Sequence, residues 1–291
     1  MYFFYSVTDL GCTSEYISFN NKIPDIPKNK SLKEIFKNLD DLVGLDDVKK
    51  SLKELAALIK LKNYKYLNLD DINLNMVFLG NPGIGKTTVA RMVSGILYNL
   101  NLIKEDKLIE VSAKDLIGEY VGQTAPKTHN IIESALGGVL FIDEAYILGE
   151  NNSYNSEAIT ELLLAMENNL DNLVIIYARY NKEMQSFMNS NSGLMSRVGY
   201  ILNFKDYTVD ELILIFKKFL KNSGFNINIE GINKLREIIN KHMNDNNFGN
   251  ARFVRNIYEK SLVRHANRVK NIKNKKDIIL FTSDDINDDN L

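Results

Sequence analysis

The chain has 291 residues, of which 45% are hydrophobic and 25% are charged, as in an ordinary soluble globular protein. Its formal net charge of −1 excludes a general basic surface for nucleic acid, so nucleic acid is not an expected partner. The single cysteine, Cys12, excludes an intramolecular disulfide and fits a reducing compartment.

The sequence carries no recognisable export signal or membrane span. Its apolar N-terminus lacks a basic flank and reaches Asp9 too early for a signal peptide. The longest apolar runs, residues 137–142 and 173–178, have the length of buried strands and are far too short to cross a membrane. We therefore expect a cytoplasmic protein with no membrane partner.

The chain opens with an irregular segment and continues into helices. Asparagines and prolines interrupt any regular pattern over residues 1–30, which are assigned to an N-terminal extension. Apolar spacing predicts a helix that begins at residue 31 and a second, amphipathic helix over residues 46–61.

Short apolar runs alternate with helical segments in the middle of the chain. The predicted strands cover residues 76–79, 107–111, 139–142, 173–177 and 200–204. The predicted helices between them cover residues 86–100, 128–136 and 156–168. This alternation indicates a parallel sheet with helices on both faces, which also explains why the strands are continuously apolar. Residues 31–206 are therefore predicted to form an α/β domain.

Helical patterns replace the strand patterns after residue 206. Helical spacing covers residues 210–221, 230–240 and 250–270. Residues 207–291 are therefore predicted to form a small all-helical domain.

The strongest motif is the segment GNPGIGKT over residues 80–87, which matches the phosphate-loop pattern G-x-x-x-x-G-K-[ST] in full. A predicted strand ends just before it and a predicted helix starts within it, whereas a chance glycine-rich turn needs neither. The glycines let backbone N–H groups surround phosphates. Lys86 would reach the β- and γ-phosphates and the Thr87 hydroxyl would ligate Mg²⁺. ATP and Mg²⁺ are the expected cofactors, and the expected nucleotide contacts in this loop are Asn81, Pro82, Gly83, Ile84, Gly85, Lys86, Thr87 and Thr88.

A second motif, VLFIDE over residues 139–144, is an apolar strand that ends in two acids. Asp143 would hold Mg²⁺ through water, and Glu144 would polarise the attacking water as a general base. An apolar strand followed by acids is common by itself. Beside the phosphate loop, two adjacent acids favour hydrolysis of the nucleotide over mere binding.

Two arginines and one tyrosine are further candidates. Arg197 precedes the fifth predicted strand and Arg252 opens a helix of the second domain. Phosphoryl transfer gains from added positive charge, but by spacing alone each arginine is better explained as a surface residue. Tyr120 stands between Gly118 and Gly122, so it either grips a polypeptide from a mobile loop or packs at a turn.

These motifs, in this order, resemble the AAA+ superfamily and within it the group of CbbX and stage V sporulation protein K. The resemblance covers about residues 31–290. It is carried by GNPGIGKTTVAR at 80–91, GEYVGQTAPKT at 118–128, ALGGVLFIDEAY at 135–146 and GNARFVRN at 249–256.

The resemblance implies an AAA+ core, which is a P-loop parallel sheet with helices on both faces, followed by a small all-helical lid domain. It also implies a homo-hexameric ring with ATP between subunits and a central pore for a protein substrate. By position, Arg197 resembles the arginine finger of a neighbour's site and Arg252 resembles the second sensor.

The remaining site residues also follow from the resemblance. Tyr120, Val121 and Gly122 resemble the pore loop that pulls on substrate. Val43 and Gly44 resemble the linker that lines the adenine pocket. Tyr180, near the first sensor, is included among the nucleotide-binding residues.

Three positions depart from the family pattern. Arg179 stands where a glycine is usual, which places a long cation near the phosphates or forces that loop outward. Met195 replaces a common second arginine, so activation of a neighbour rests on Arg197, and His129 replaces a usual arginine after the pore loop.

The leading functional hypothesis is an ATPase that threads or tugs a protein substrate, in sporulation or a related role. A nucleotide-gated assembly scaffold with little turnover is the alternative that Arg179 keeps open. A remodeller similar to a Rubisco activase is the third option. The high Asn, Lys and Ile content is typical of AT-rich genomes of spore-forming anaerobes, which disfavours carbon fixation.

Overall fold

The structure is a computed structural model that describes residues 30–62, 73–149, 152–170, 172–179, 192–245 and 248–288. Two expectations therefore lie outside the described residues. These are the N-terminal extension, except for its last residue, and the nucleotide contact of Tyr180.

Within the described residues, five strands form one parallel sheet with the order β2-β3-β4-β1-β5. The strands are β1 (Met76–Leu79), β2 (Leu108–Ser112), β3 (Val139–Asp143), β4 (Val174–Arg179) and β5 (Tyr200–Asn203). Because β1 lies between β4 and β5, the loop that follows β1 leaves the sheet next to its edge strand β5. Ligands of open parallel sheets bind outside the carboxyl ends of the strands, where this loop lies.

Helices precede, follow and separate the strands. In chain order they are α1 (Leu32–Asp40), α2 (Asp46–Lys62), α3 (Lys86–Asn99), α4 (Ala113–Leu116), α5 (Thr124–Ala135), α6 (Ser153–Asn168), α7 (Ser192–Met195), α8 (Val209–Asn222), α9 (Ile229–His242), α10 (Ala251–Val269) and α11 (Lys275–Ile278).

Both faces of the sheet are covered, as the alternation predicted. Met76 and Phe78 of β1 are fully buried in a cluster that contains the apolar sides of α1, α2 and α3. Val77, which points to the other face, belongs to a second cluster built with α4, α5 and α6. This alternation along β1 is the period-two pattern of a strand that is buried on both sides.

Two helices begin three or more residues earlier than the sequence predicted. α5 starts at Thr124 and includes Pro126 in its first turn, where the missing N–H of proline costs no helical hydrogen bond. α6 starts at Ser153 because the side chain of Asn152 caps it, accepting a hydrogen bond from Asn155 N–H at 2.8 Å.

The second part of the chain is helical, as predicted, with one addition. Between α8 and α9, β6 (Asn226–Ile227) pairs in parallel with β7 (Leu280–Phe281), near the end of the chain. The expectation of an all-helical domain is corrected in this detail. Two-residue strands carry no periodicity, and this pairing joins segments more than fifty residues apart.

The C-terminal segment is fixed to the helices by charged side chains. Buried Asp285 accepts hydrogen bonds from Arg268 Nε at 2.8 Å and from Thr282 N–H at 2.8 Å. Asp288 lies 2.7 Å from Lys241 Nζ and 3.1 Å from His242 Nε2, and these partners lower the pKa of Asp288 to about 2. Hydrogen bonds to Asp245 and Asp288 raise the pKa of His242.

Among the described residues, every helix is either too short or too polar to span a bilayer.

Candidate nucleotide-binding site

The phosphate loop connects β1 to α3 through backbone conformations that require glycine. Gly83 and Gly85 have φ angles of 72° and 91°, in the left-handed region that residues with a Cβ atom avoid. A Cβ atom at Gly83 would also lie 2.0 Å from the carbonyl oxygen of Gly249. Gly83 is therefore constrained twice, by its own backbone and by the segment that precedes α10.

The start of α3 offers backbone donors to an anion. Gly85 occupies the N-cap position, where it has no side chain to satisfy the first-turn N–H groups. Thr87 and Thr88 lie half-buried in that first turn. Free N–H groups at the positive end of a helix dipole favour a phosphate at this position.

Lys86 is folded onto the same loop. Its Nζ donates to the carbonyl oxygens of Gly80 at 2.6 Å and Asn81 at 3.0 Å. Burial lowers the pKa of Lys86 to about 8, an effect that Asp143 opposes and Arg252 strengthens. Two cations and the helix N-terminus thus converge on one loop, and a polyphosphate fits this charge pattern.

The two acids lie at the carboxyl end of β3. Asp143 Oδ1 accepts a hydrogen bond from Glu144 N–H at 2.9 Å, and Glu144 is exposed with a φ of 54°. The charge of the Asp143 carboxylate raises the pKa of Lys86, so the acid lies near the phosphate loop. Together with the Thr87 hydroxyl, Asp143 offers the oxygen ligands that Mg²⁺ prefers.

Ser112 is a site residue that the sequence analysis missed. It ends β2 directly opposite Asp143, and its Oγ lies 3.3 Å from Glu144 Oε2. A polar residue at the end of a strand is a weak signal in a sequence. Finding Ser112 needed the knowledge that β2 and β3 are neighbours.

The segment predicted to line the adenine pocket lies against the start of the helical domain. A Cβ atom at Gly44, which has a φ of 58°, would lie 2.3 Å from Glu211 Oε1 and 3.4 Å from the Tyr207 ring. Val43 is half-buried and packs against the main hydrophobic cluster. This segment and the start of α8 therefore share one region.

The two arginines lie at different edges of the sheet. Arg252 opens α10 beside the phosphate loop, where its charge acts on Lys86. The carbonyl oxygen of Arg197 accepts a hydrogen bond from Asn75 Nδ2 at 3.2 Å, and Asn75 directly precedes β1. The four residues of β1 separate that edge from the phosphate loop by roughly 13 Å at the usual rise per residue.

The Arg197 side chain is held on the surface of α6. Its Nη1 donates to the carbonyl oxygen of Gly193 at 2.7 Å, and its guanidinium forms an ion pair with Glu167. These contacts and the position at the amino end of β1 keep Arg197 out of the phosphate site of its own chain.

The predicted pore loop projects into solvent. The exposed fractions are 67% for Tyr120 and 85% for Val121, so Tyr120 is not packed at a turn. Gly122 has a φ of 81°, and among the described residues nothing would meet a Cβ atom there. Local hydrogen bonds hold the backbone of the loop: Tyr120 N–H donates to Gln123 Oε1 at 3.3 Å, and Gln123 N–H donates to Tyr120 O at 3.2 Å.

The unusual residues of the chain have defined backbone positions. Arg179 ends β4 directly opposite Leu79, one residue before the phosphate loop, and Met195 ends α7. The ring of His129 on α5 lies 3.6 Å from Glu161 of α6 and 3.9 Å from Glu133. His129 therefore bridges two helices at an exposed position, as an ordinary surface residue does.

Family models match both parts of the chain. The model described as "ATPase family associated with various cellular activities (AAA)" matches residues 76–205, and the model described as "AAA lid domain" matches residues 208–290. Together with the phosphate loop at the end of β1, these matches define an ATP-hydrolysing AAA protein with a helical lid.

Curated relatives narrow this class. The chain is 42% identical over 270 residues to the chloroplastic ribulose bisphosphate carboxylase/oxygenase activase of Cyanidioschyzon merolae, covering 89% of this chain and 92% of the relative. It is 41% identical over 244 residues to protein CbbX of Cereibacter sphaeroides, covering 81% and 79%. The chain therefore belongs to the CbbX group of AAA+ ATPases.

Solved structures support the fold alone. The AAA domain of FIGL-1 aligns with a TM-score of 0.60 at 20% identity, covering 84% of this chain and 80% of that one. A point mutant of Thermotoga maritima RuvB aligns with a TM-score of 0.59 at 21% identity, covering 89% and 70%.

Proposed function

We propose that the chain forms a homo-hexameric ring, binds ATP with Mg²⁺ between subunits and uses hydrolysis to remodel a protein substrate. The observation that carries this proposal is the position of Arg197, at the edge of the sheet opposite its own phosphate loop. An arginine so placed is available to the site of an adjacent subunit.

The geometry of the phosphate loop and the resemblance of the motifs support the proposed roles at the site. Backbone N–H groups of residues 83–88 bind the phosphates, and Asn81 and Pro82 complete the loop around them. Lys86 neutralises the phosphate charge, and Thr87 and Asp143 hold Mg²⁺, which supplies Lewis-acid activation when bound. Glu144 takes a proton from the attacking water. Arg252 contacts the nucleotide from the lid, and Val43 and Gly44 border the adenine, with Tyr180 assigned by resemblance alone.

The proposed division of labour follows the chain. Residues 31–206 bind and hydrolyse ATP, residues 207–291 act as the lid, and residues 1–30 are an extension. Tyr120, Val121 and Gly122 grip the substrate in the central pore. Exposed apolar side chains on a glycine-bounded loop support this role, because they offer contact area without a fixed partner.

The substrate class is proposed from the relatives. The name of one relative, the chloroplastic ribulose bisphosphate carboxylase/oxygenase activase, supports an activase-type substrate. It favours this substrate over the sporulation role that the resemblance suggested. The test is reactivation of an inhibited ribulose bisphosphate carboxylase by the chain with ATP. Full ATP turnover without reactivation would reject this substrate and leave the motor proposal intact.

A mixing experiment tests the shared site. Arg197→Ala lacks the arginine but keeps its phosphate loop, whereas Lys86→Ala lacks the loop lysine but keeps Arg197. Each variant alone should be inactive, and their mixture should regain activity at interfaces that combine the intact halves. Arg236→Ala is the matched control, because Arg236 forms a surface ion pair with Asp210 at 2.6 Å. Full, concentration-independent activity of Arg197→Ala would overturn the proposal.

The scaffold remains a second candidate because Arg179 ends β4 beside the residue that precedes the phosphate loop. Glu144→Gln distinguishes the motor from the scaffold, because loss of a general base lowers the hydrolysis rate by about 10²–10⁴ while ATP binding persists. A motor loses function with this change. A scaffold assembles with ATP and works normally without turnover.

A further inference from the structure

Asn250 is a buried amide at the junction between the lid and the phosphate loop. It directly precedes α10 and is fully buried. Its Oδ1 accepts a hydrogen bond from Tyr207 N–H at 3.1 Å, and its Nδ2 donates to Asp206 Oδ1 at 2.9 Å. The side chain thus ties α10 to the two residues that link the sheet to the lid.

Asp206 continues this connection to the loop. Its two carboxylate oxygens lie 2.9 Å and 2.8 Å from Asn81 Nδ2. One carboxylate therefore accepts hydrogen bonds from both the first part of the phosphate loop and the start of the lid helix α10. Hydrogen bonds to a charged acceptor are stronger than neutral ones, so this is the strongest link in the connection.

Three successive carbonyl groups of the phosphate loop accept hydrogen bonds from the same region. Pro82 O lies 3.5 Å from Asn250 Nδ2, Gly83 O accepts from Ala251 N–H at 3.1 Å, and Ile84 O accepts from the Tyr207 hydroxyl at 3.2 Å. The carbonyl and N–H of one trans peptide point in opposite directions. Donors that hold these carbonyls therefore direct the N–H groups of residues 83–85 away from the lid, toward the phosphate side.

We propose that Asn250 and Asp206 are positioning residues that hold the phosphate loop in its anion-binding conformation from the lid, independently of Arg252. Movement of the lid then changes the shape of the loop, and nucleotide binding favours one lid position. The inference goes beyond the ring motor, because it requires only that the phosphate loop binds nucleotide.

The backbone of Asn250 separates its side-chain role from a role in the turn. Its φ of 49° and ψ of −124° lie in a region that glycine adopts more readily than asparagine. Asn250→Gly therefore removes the amide without adding backbone strain. A loss of function in this variant reports the missing side chain.

A reciprocal exchange supplies the rescue. Asn250→Asp alone places two carboxylates in contact and removes the donor to Asp206. In the double variant Asp206→Asn with Asn250→Asp, the amide introduced at position 206 donates to the carboxylate introduced at position 250. That carboxylate still accepts from Tyr207 N–H, and the net charge of the chain is unchanged.

Affinity for ADP, measured by titration calorimetry on the full chain, is the first readout. Loss of the hydrogen bond from Asn250 to the charged Asp206, which supports the loop from the lid, should weaken ADP binding by about ten-fold in Asn250→Gly and in Asn250→Asp. The double variant should recover to within about three-fold of wild type.

Amide hydrogen exchange at Val89 and Ala251 is the second readout, measured in the protein without nucleotide, because their N–H groups donate to the loop carbonyls of Gly85 and Gly83. Exchange should accelerate by about ten-fold in both single variants and return in the double variant. Arg252→Ala is the control, because it should weaken ADP binding while exchange of these two amides stays at the wild-type rate.

Two results would overturn the inference. One is that ADP affinity and exchange of the Val89 and Ala251 amides stay within two-fold of wild type in Asn250→Gly. The other is a double variant that melts at the wild-type temperature but recovers neither property. If Asn250→Asp fails to fold, the inference is tested by Asn250→Gly and by the double variant, which keeps the net charge of the wild type. The exchange readout uses the chain without nucleotide and needs no site shared between subunits, so failure of the mixing experiment leaves it unaffected.

Discussion

Ser112 Oγ donates a hydrogen bond to Glu144 Oε2 over 3.3 Å, from the end of β2 to the end of β3. The carboxylate assigned to the attacking water is therefore turned toward a neighbouring strand in the chain without nucleotide. To act as a general base, Glu144 has to exchange this bond for one to water.

Removal of that bond is expected to raise basal ATP turnover. Ser112→Ala leaves Glu144 free to reach water, and a neutral donor at this distance is worth about 1 kcal/mol, or up to about five-fold in rate. Steady-state hydrolysis at saturating ATP measures the effect. Ser134→Ala, which loses an exposed hydroxyl on α5, is the control. Unchanged or reduced turnover would show that Ser112 does not restrain Glu144.

Gly83, in the phosphate loop, and Gly224, outside it, allow a comparison of the effect of an added Cβ atom. Both have positive φ, 72° and 79°, but a Cβ atom at Gly83 would meet Gly249 O at 2.0 Å. Among the described residues nothing would meet a Cβ atom at Gly224. Gly83→Ala should weaken ADP binding at least ten-fold, whereas Gly224→Ala should cost only about 1 kcal/mol of stability. Calorimetric titration measures ADP affinity and thermal melting measures stability. Equal ADP affinities of the two variants would show that a Cβ atom at Gly83 does not disturb the loop.

Tyr120 should separate hydrolysis from remodelling. Because its ring is exposed, Tyr120→Ala should keep ATP turnover within about two-fold and lose substrate remodelling. Tyr120→Phe keeps the ring and should retain remodelling. The readout is reactivation of inhibited ribulose bisphosphate carboxylase. Retained reactivation by Tyr120→Ala would show that Tyr120 does not grip the substrate.

His242 should make the attachment of the C-terminal segment depend on pH. Its pKa is raised by Asp245 and Asp288, so its protonated form stabilises the folded chain below the unfolded pKa, about 6.5. This contribution is lost as pH rises through the higher folded pKa. His242→Gln should melt below wild type at pH 6 and approach it at pH 9. A difference in melting temperature between wild type and His242→Gln that grows with pH would contradict a stabilising role of protonated His242.

The sequence predicted those parts of the molecule that depend on local patterns. Buried strands such as β1 and β3 are continuous apolar runs, and the phosphate loop is a contiguous motif between a strand and a helix. The helix starts missed at Thr124 and Ser153 depended on a proline in the first turn and an asparagine cap. These are local signals that the apolar spacing alone does not carry.

The rest of the site depends on contacts between distant segments. Ser112 became visible only through the order of β2 and β3, and Arg197 could be placed at the opposite edge only through its bond to Asn75. Asn250 contacts residues more than 160 positions earlier in the chain. Periodicity reports whether a residue is buried, but it does not report which residue it meets.

The placement of Arg197 and Lys86 at opposite edges of one sheet has a genetic consequence. In the proposed ring, each subunit supplies the lysine to one interface and the arginine to the next. A subunit defective in both would silence two interfaces. Faulty and normal copies expressed in equal amounts would then leave about a quarter of the interfaces intact under random mixing, because each needs two sound neighbours. An allele that loses both residues would therefore behave as dominant.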